Sequence, residues 1–437
     1  MYTMKKLFSI ILALVMCLSV LSFAVADEEI KLVYWSPEDD ESAIAVDNAI
    51  IEKFVAAHPG VSIELQHGSL SDILAKISAM AIAGTTPDFA FFSPRYVAAM
   101  VEGGYLEELT DLYKEIGDIP ASFVTPTSSE AIYDIPCVMD SICLYYRTDL
   151  FEAAGITPPT NWDEWLAAAE KLTQDTDGDG VNDIFGMTLM GGIPDDYFGF
   201  TPILWANGAE FFNADGSAAI DSPAAIEALD FAKKLAPFCP PGMENVNYSD
   251  NLVLFASGKT AMVLAPGRVM LSIEEYSPDL LDKIDMVAVP AGPSGDKPVT
   301  KVSINDFVVF NNTKHPELCK EFIKFYMSDE SYELFLTNSA PGHMLPTRNA
   351  YLEDEAYLNS EKIAYKADKV KKSLGLAFDY GSDYVLRNGG AYNPNLSEGL
   401  ASTVMAQQIN KMYLGEVTAA ECAKTIADTW REDFGIN

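Results

Sequence analysis

Apolar residues recur in two alternating rhythms along the first third of the chain. Ile30 to Trp35 is a short apolar run of strand character, and Val61 to Leu65 alternates with a period of two. Between them Ile44, Ile50, Ile51, Phe54 and Val55 recur at helical spacing until Pro59-Gly60 stops the run. Ile73, Leu74, Ile77 and Met80 mark a second helix, which Ser71 is placed to cap and Gly84 to end. Phe89 to Phe92 reads as a third strand, and a short helix follows Pro94. Strands alternating with helices predict an α/β fold, with a parallel sheet covered on both faces.

The rest of the chain reads as mostly helical. Trp162 to Leu172 is amphipathic, with Asn161 as its cap, and Ser222-Pro223 opens a helix with proline at its first position. Pro316 to Met327 and Leu396 to Leu414 are further helices, the last stopped by Gly415. Thr260 to Leu264, Ile284 to Val289 and Phe307 to Phe310 read as strands. No repeat or low-complexity linker is visible, so crossing strands, not a flexible tether, are expected to join the lobes. A length of 437 residues fits two lobes of roughly 150–200 residues each.

Charge narrows the partners. Asp and Glu number 64 against 29 Lys and Arg, a formal net charge of −35. Phosphate backbones and anionic lipid both want a basic face, so neither nucleic acid nor a membrane surface is an expected partner. The excess suits a soluble monomer but names no ligand.

Residues 1–26 read as a secretory signal peptide. Lys5 and Lys6 form the positive region, Leu7 to Val20 is a short apolar stretch, and Ala24-Val25-Ala26 is an A-x-A cleavage pattern. Its removal takes two lysines and no acid, moving the charge from −35 to −37. A lipid anchor at Cys17 is not expected, because bulky Met16 precedes it. A periplasmic or extracellular protein follows. The remaining cysteines, Cys137, Cys143, Cys239, Cys319 and Cys422, are odd in number and lack zinc spacing, so buried free thiols are expected.

No G-x-S-x-G, H-E-x-x-H, P-loop or G-x-G-x-x-G occurs, and an enzyme is not predicted. With 64 acids, any glycosidase-like carboxylate pair can be proposed, so none is informative. The clearest local motif is Asp175 to Asp183. Asp175, Asp177, Asp179 and Asp183 stand at relative positions 1, 3, 5 and 9, Gly180 at 6 and the Val181 carbonyl at 7, matching the front half of a calcium loop. Position 12, where a bidentate Glu is expected, is Gly186. Two readings stay open: a structural calcium site, or an Asp/Gly turn between a helix ending near Thr173 and a strand at Ile184 to Leu189. No other cofactor is required.

Aromatic residues sit at turns as well as in core periodicity. Trp35 and Phe92 end strands, Tyr197 precedes Trp205, and Tyr384 and Tyr392 flank a Gly-rich stretch. Open α/β sheets bind ligands at the C-terminal ends of parallel strands, which singles out Trp35 and the turn from Phe92 to Arg95. Aromatic faces with Asp, Asn and Arg between them suit a sugar.

These blocks together resemble the extracellular solute-binding proteins of bacterial ABC importers, in the maltose-binding class. The likeness lies in Leu32-Val33-Tyr34-Trp35, Phe54 with Pro59-Gly60-Val61, and Ala83 to Asp88. It is strongest from Ile135-Pro136 to Asp140, then Leu144 to Phe151, Ala154-Gly155-Ile156 and Pro159 to Glu164. Asn207-Gly208, Phe255 with Gly258 to Met262, Pro290 to Pro293, Glu321 to Phe325 and Leu345-Pro346 continue it in order. The resemblance implies two discontinuous lobes: 27–138 with about 305–344, and about 142–302 with 348–437. It implies closure on a carbohydrate and recognition of the closed form by permease subunits. The residues it places at the cleft are Trp35, Ser36, Phe92, Arg95, Asp140, Tyr145, Tyr197, Trp205, Arg268, Asp306, His343 and Tyr392.

Three positions depart from the pattern. Arg147 replaces the usual Asn after the double tyrosine, Ser303 to Phe307 lacks the common glycine cluster, and Arg268 stands where many sugar binders have a stacking Trp. A guanidinium there suits an acidic sugar or phosphorylated polyol, unless it pairs with one of the many acids. Two rival readings are a secreted, calcium-stabilised glycoside hydrolase and a subunit that presents ligand to a membrane sensor.

Overall fold

The computed structural model describes residues 29–435 apart from 39, 69, 128, 129, 193–195, 385, 386, 388–394, 397, 398, 400 and 401, and excludes the side chains of 70–75, 78, 92, 94, 95 and 196–198. The expected signal peptide, Cys17 and Tyr392 lie outside the described residues.

The first part follows the predicted alternation: β1 (Ile30–Ser36), α1 (Glu41–Ala57), β2 (Val61–His67), α2 (Leu70–Ala83), β3 (Phe89–Phe92) and α3 (Pro94–Glu102). β1 lies parallel to both β2 and β3. Helix α2 begins at Leu70, so Ser71 lies within its first turn instead of capping it. Strand alternation sends Leu32 and Tyr34 into the main apolar cluster with Ile50 and Phe54 of α1. Trp35 points the other way, into a small cluster with Ile77, Val97 and Met100.

Two long strands carry the chain between the lobes. β4 (Ile135–Arg147) pairs over residues 135–142 with β7 (Thr300–Val309), which in turn pairs with β3. Beyond that point β4 enters a second set of pairings, with β5 (Met262–Ala265) and β6 (Ile284–Val287), antiparallel to both. Two short strands complete the sheet: β8 (Leu345–Pro346) against β4, and β9 (Gly381–Ser382) against Thr300-Lys301 of β7. The register of β4 shifts between Pro136 and Val138, a bulge at Cys137 that bends the strand where it crosses.

The second lobe packs on both faces of β4. Ile142, Leu144 and Tyr146 face α4 (Trp162–Lys171), α5 (Asp196–Ala206), α6 (Pro223–Leu235), and the late helices α11 (Thr403–Tyr413) and α12 (Ala419–Phe434). Cys143 and Tyr145 face α7 (Tyr248–Ala256), α8 (Arg268–Tyr276) and α10 (Ala367–Tyr380), in the cluster that also fills the first lobe with α9 (Pro316–Tyr326). Each buried Leu, Ile or Phe contributes about 1.5–3 kcal/mol, so this shared core holds the crossing strands firmly. The caps follow the sequence: Asn161 accepts from the Glu164 N–H at 3.0 Å, and Ser222 from Ala225 at 3.3 Å. The expected strand at Ile184 to Leu189 is reduced to single bridges at Ile184, Phe185 and Thr188. Cys137, Cys143, Cys239, Cys319 and Cys422 are buried and outside any disulfide. Among the described residues no helix is long and apolar enough to cross a membrane.

Candidate functional site

The crossing of β4 and β7 puts polar side chains on one face of an otherwise apolar sheet. Asp140 lies opposite Ser303, and Lys301 opposite Ile142. Directly paired residues share a face, so these four side chains point the same way. Lys301 is fully buried, and its Nζ donates to Ser303 Oγ at 2.5 Å. Asp140 keeps some exposure, yet its Oδ1 is enclosed and has no hydrogen-bond partner. Burial raises its pKa, while the Lys301 charge, Ser303 and then Arg268 act against that rise.

Arg268 opens α8 and reaches back to Asp40, just before α1, with Nη1 3.2 Å from Oδ2. His343 lies beside it. Burial and then the Arg268 charge push the imidazole pKa down to about 3, so His343 is neutral, and its Nδ1 has no partner. This approach requires glycine at 267: a Cβ there would stand 2.2 Å from the Gly342 carbonyl oxygen.

Aromatic groups gather on the second lobe. Trp205 of α5 meets Tyr384 edge-on at 4.9 Å, and the Arg387 guanidinium lies 4.9 Å from the Trp205 ring centre. Arg387 Nε pairs with Glu210 at 2.5 Å. Tyr384 shares a hydrogen bond with Thr201 at 2.9 Å, and Lys301 Nζ lies 5.3 Å from its ring centre. Lys301 therefore links the Asp140 strip to the aromatic group. Trp205 is almost fully buried and its indole Nε1 has no partner.

Asp306 lies at the C-terminal end of β3, its register partners being Phe92 and Pro136. It is completely buried. Burial, then the charges of Asp134 and Asp383, drive its pKa well above the carboxylate range. Asp134 accepts from the Thr125 N–H at 3.1 Å, and burial pushes its pKa up to about 6. Of the two acids whose charges act on Asp306, Asp134 has the larger effect.

From the sequence-based set the structure links Asp140, Arg268 and His343, and Trp205 through Lys301 and Tyr384, while Asp306 lies in a separate group with Asp134 and Asp383. Three others lie in buried packing. Trp35 is a core residue, because alternation along β1 turns it under α2 and α3. Ser36 is 1% exposed and belongs to a buried polar network with Asp47, whose carboxylate accepts from Tyr326 Oη at 2.7 Å. Tyr145 is fully buried, opposite Val263 and Met286 on the core face of β4. The side chains of Phe92, Arg95 and Tyr197 lie outside the described part, although the backbone puts Phe92 beside Asp306. Sequence reasoning missed Asp40, Asp134, Lys301, Glu210 and Arg387, and noted Tyr384 only as an aromatic beside a Gly-rich stretch.

The acidic loop is far simpler than a full calcium loop. One carboxylate oxygen each from Asp175, Asp177 and Asp183 lies within 4.8 Å of the others. Asp175 also accepts from Gly178 and Gly180, and Asp183 from Thr176. Asp179 turns instead to the Val181 N–H at 2.7 Å. Gly186 cannot be replaced by a ligand residue, since a Cβ would lie 1.8 Å from the Ala169 carbonyl oxygen. Three carboxylates suit a hard cation completed by water or backbone oxygens.

The model of the family "Bacterial extracellular solute-binding protein" matches residues 40–333. The chain belongs to that family. Among relatives of this solute-binding protein, a binding protein of Brucella abortus (strain 2308) is 28% identical over 319 residues, 71% of this chain and 74% of the relative. An arabinooligosaccharide-binding protein of Bacillus subtilis is 23% identical over 348 residues, 75% of this chain and 77% of the relative. Maltose-bound MalE3 of T. maritima superposes with a TM-score of 0.73 at 21% identity, covering 92% of this chain and 99% of its own. The solute-binding protein shares that two-lobed fold.

Proposed function

We propose that this solute-binding protein captures a carbohydrate reversibly between its lobes and delivers it to the permease subunits of an ABC importer. One observation carries the reading. Asp140 Oδ1, Trp205 Nε1, His343 Nδ1 and both Asp306 oxygens are buried without protein donors or acceptors around the strand crossing. Buried polar atoms require partners, and a polyhydroxyl ligand supplies donors and acceptors at such spacing. Trp205 and Tyr384 offer apolar ring surface beside them. Arg268, which suggested an anionic ligand, is matched by Asp40, so a neutral or cationic sugar is favoured.

In this reading β4 and β7 are the hinge, and the lobes divide near 138–142 and 302–305. Closure brings the α5 side onto the Asp306 side, and ligand contacts to both lobes stabilise the shut state. Residues 1–26 direct export. The Asp175 loop binds a calcium ion that stiffens the turn after α4 and takes no part in ligand capture. The names of the Bacillus relative and the maltose complex support a carbohydrate; relatives named as binding proteins weigh against the hydrolase reading.

A thermal-shift screen tests this directly. A ligand stabilises its binder by RT ln(1 + [L]/Kd), about 2.7 kcal/mol at a hundredfold excess over Kd. Neutral oligosaccharides, polyols, amino sugars, uronates and sugar phosphates form the panel. At least one carbohydrate is expected to raise the melting temperature; a panel with no response contradicts the reading.

A further inference from the structure

Asp40 stands at the N-cap of α1 with an extended backbone. From that position an Asp side chain ordinarily accepts from the N–H groups of the first turn, yet Asp40 makes no such bond. Its Oδ2 lies instead 3.2 Å from Nη1 of Arg268. Arg268 is the first residue of α8, which follows Gly267 without a side-chain cap and carries no acid in its first turn. A cation at a helix N-terminus is unfavourable alone, so the Asp40 carboxylate offsets both the guanidinium and the helix end.

In the lobe division above, Asp40 belongs to the first lobe and Arg268 to the second. The lobes touch again beside this pair, where Gly267 packs against the Gly342 carbonyl oxygen. Arg268 also reaches the candidate site, since its charge acts on both Asp140 and His343. Parting the lobes breaks the ion pair. Asp40 then has a second use at hand, the open N–H groups at the start of α1. One carboxylate therefore has a partner in each state: Arg268 when the lobes are shut, its own helix when they are apart.

We propose that Asp40 is a positioning residue for solute capture, latching Arg268 in the shut form and capping α1 in the open form. This rests on the two-lobe reading above and adds a contact that biases its closure. The side chains of Asp40 and Arg268 are 51% and 31% exposed, so the bias is modest and salt-sensitive. A latch of that strength slows release of a solute without preventing it.

Electron–electron distance measurements on the unliganded chain recovered after export test it. Spin labels are carried by Glu52→Cys on α1 and Glu275→Cys on α8, both exposed positions, while Cys137, Cys143, Cys239, Cys319 and Cys422 are buried. Two distances, shut and open, are expected. Asp40→Asn removes the charge but keeps a side chain that caps helices well. It is expected to lower the shut-to-open ratio about two- to fivefold with no loss of melting temperature. Salt at about 1 M is expected to lower the ratio of the unsubstituted pair by a similar factor and to leave Asp40→Asn unchanged. Glu41→Gln removes an equal charge one residue away and is expected to leave the ratio as it is. A ratio that ignores Asp40→Asn, or that falls equally with Glu41→Gln, overturns the latch and leaves the two lobes standing. A melting temperature that falls with Asp40→Asn reduces Asp40 to a structural part of α1 and overturns the latch as well. One unchanged distance in every sample overturns both the latch and the two-lobe reading.

Discussion

The guanidinium of Arg387 lies 4.9 Å from the ring centre of Trp205 while its Nε pairs with Glu210 at 2.5 Å. A cation resting on an indole gains about 0.5–2 kcal/mol, and here it also covers a ring face. A sugar that stacks on that face must share it with Arg387 or displace it. Trp205→Phe is expected to keep the fold and weaken carbohydrate binding by about 1 kcal/mol; Trp205→Ala is expected to cost more, about 1–3 kcal/mol. Isothermal calorimetry measures both, and unchanged affinity for both removes Trp205 from the site.

Asp140 and Lys301 act as a unit across β4 and β7. Asp140→Asn removes the carboxylate that offsets the buried Lys301 charge, so ligand affinity is expected to fall by about 1–3 kcal/mol. Adding Lys301→Met should cost less than the two single changes together, because the second change relieves the stranded charge. Strict additivity in the double-mutant cycle would show that the two side chains are independent.

The buried acids give stability a definite pH dependence. Asp47 and Asp134 both have pKa values pushed up to about 6 by burial, against 3.8 for an unperturbed Asp. Between these values the folded state holds more protons than the unfolded state, so stability is greatest at the acid end and falls as pH rises through about 4 to 6. Two pKa units correspond to about 3 kcal/mol for one such group. Denaturant unfolding of Asp47→Asn is expected to show a flatter profile over that window than the wild type. A wild type that gains stability steadily from pH 4 to 7 contradicts the assignment.

Gly267 is expected to tolerate no side chain. Gly267→Ala would drive a Cβ to 2.2 Å from the Gly342 carbonyl oxygen, forcing α8 and the His343 loop apart. The cost is about 1–3 kcal/mol of stability, with weaker ligand binding as Arg268 and His343 move. Gly375→Ala is the control, since nothing lies within 4 Å of its Cβ position. Equal melting temperatures for the two variants would refute the contact.

Calcium is expected to raise the melting temperature, and Asp175→Ala is expected to remove the rise without changing carbohydrate affinity. A titration against a chelator control checks this; no calcium response in the wild type refutes the loop as a site.

Much of the fold was legible because local signals agreed. Pro59-Gly60, Asn161 and Ser222-Pro223 punctuate the chain where the structure does, and the alternating strands and helices of the first lobe follow the apolar periods. The site was legible only in part. Asp140 and Asp306 were pointed to by the family likeness alone. Trp35 and Tyr145 lie in apolar clusters, a placement that follows from strand register and that neither end-of-strand position nor family likeness reveals. Asp40, Glu210 and Arg387 were invisible because each acquires meaning from a partner distant in the chain. Arg268 shows this most clearly: its sequence neighbours suggest an anion site, and Asp40, 228 residues away, supplies the carboxylate instead.

The central claim is reversible capture of an intact carbohydrate at the β4–β7 crossing. Calorimetry of wild type and Asp140→Asn against the best carbohydrate from the panel, followed by mass analysis of the recovered ligand, tests it most directly. The account predicts saturable one-to-one binding that Asp140→Asn weakens, with the ligand recovered unchanged. Binding untouched by Asp140→Asn, or a ligand recovered as shorter products, would contradict it.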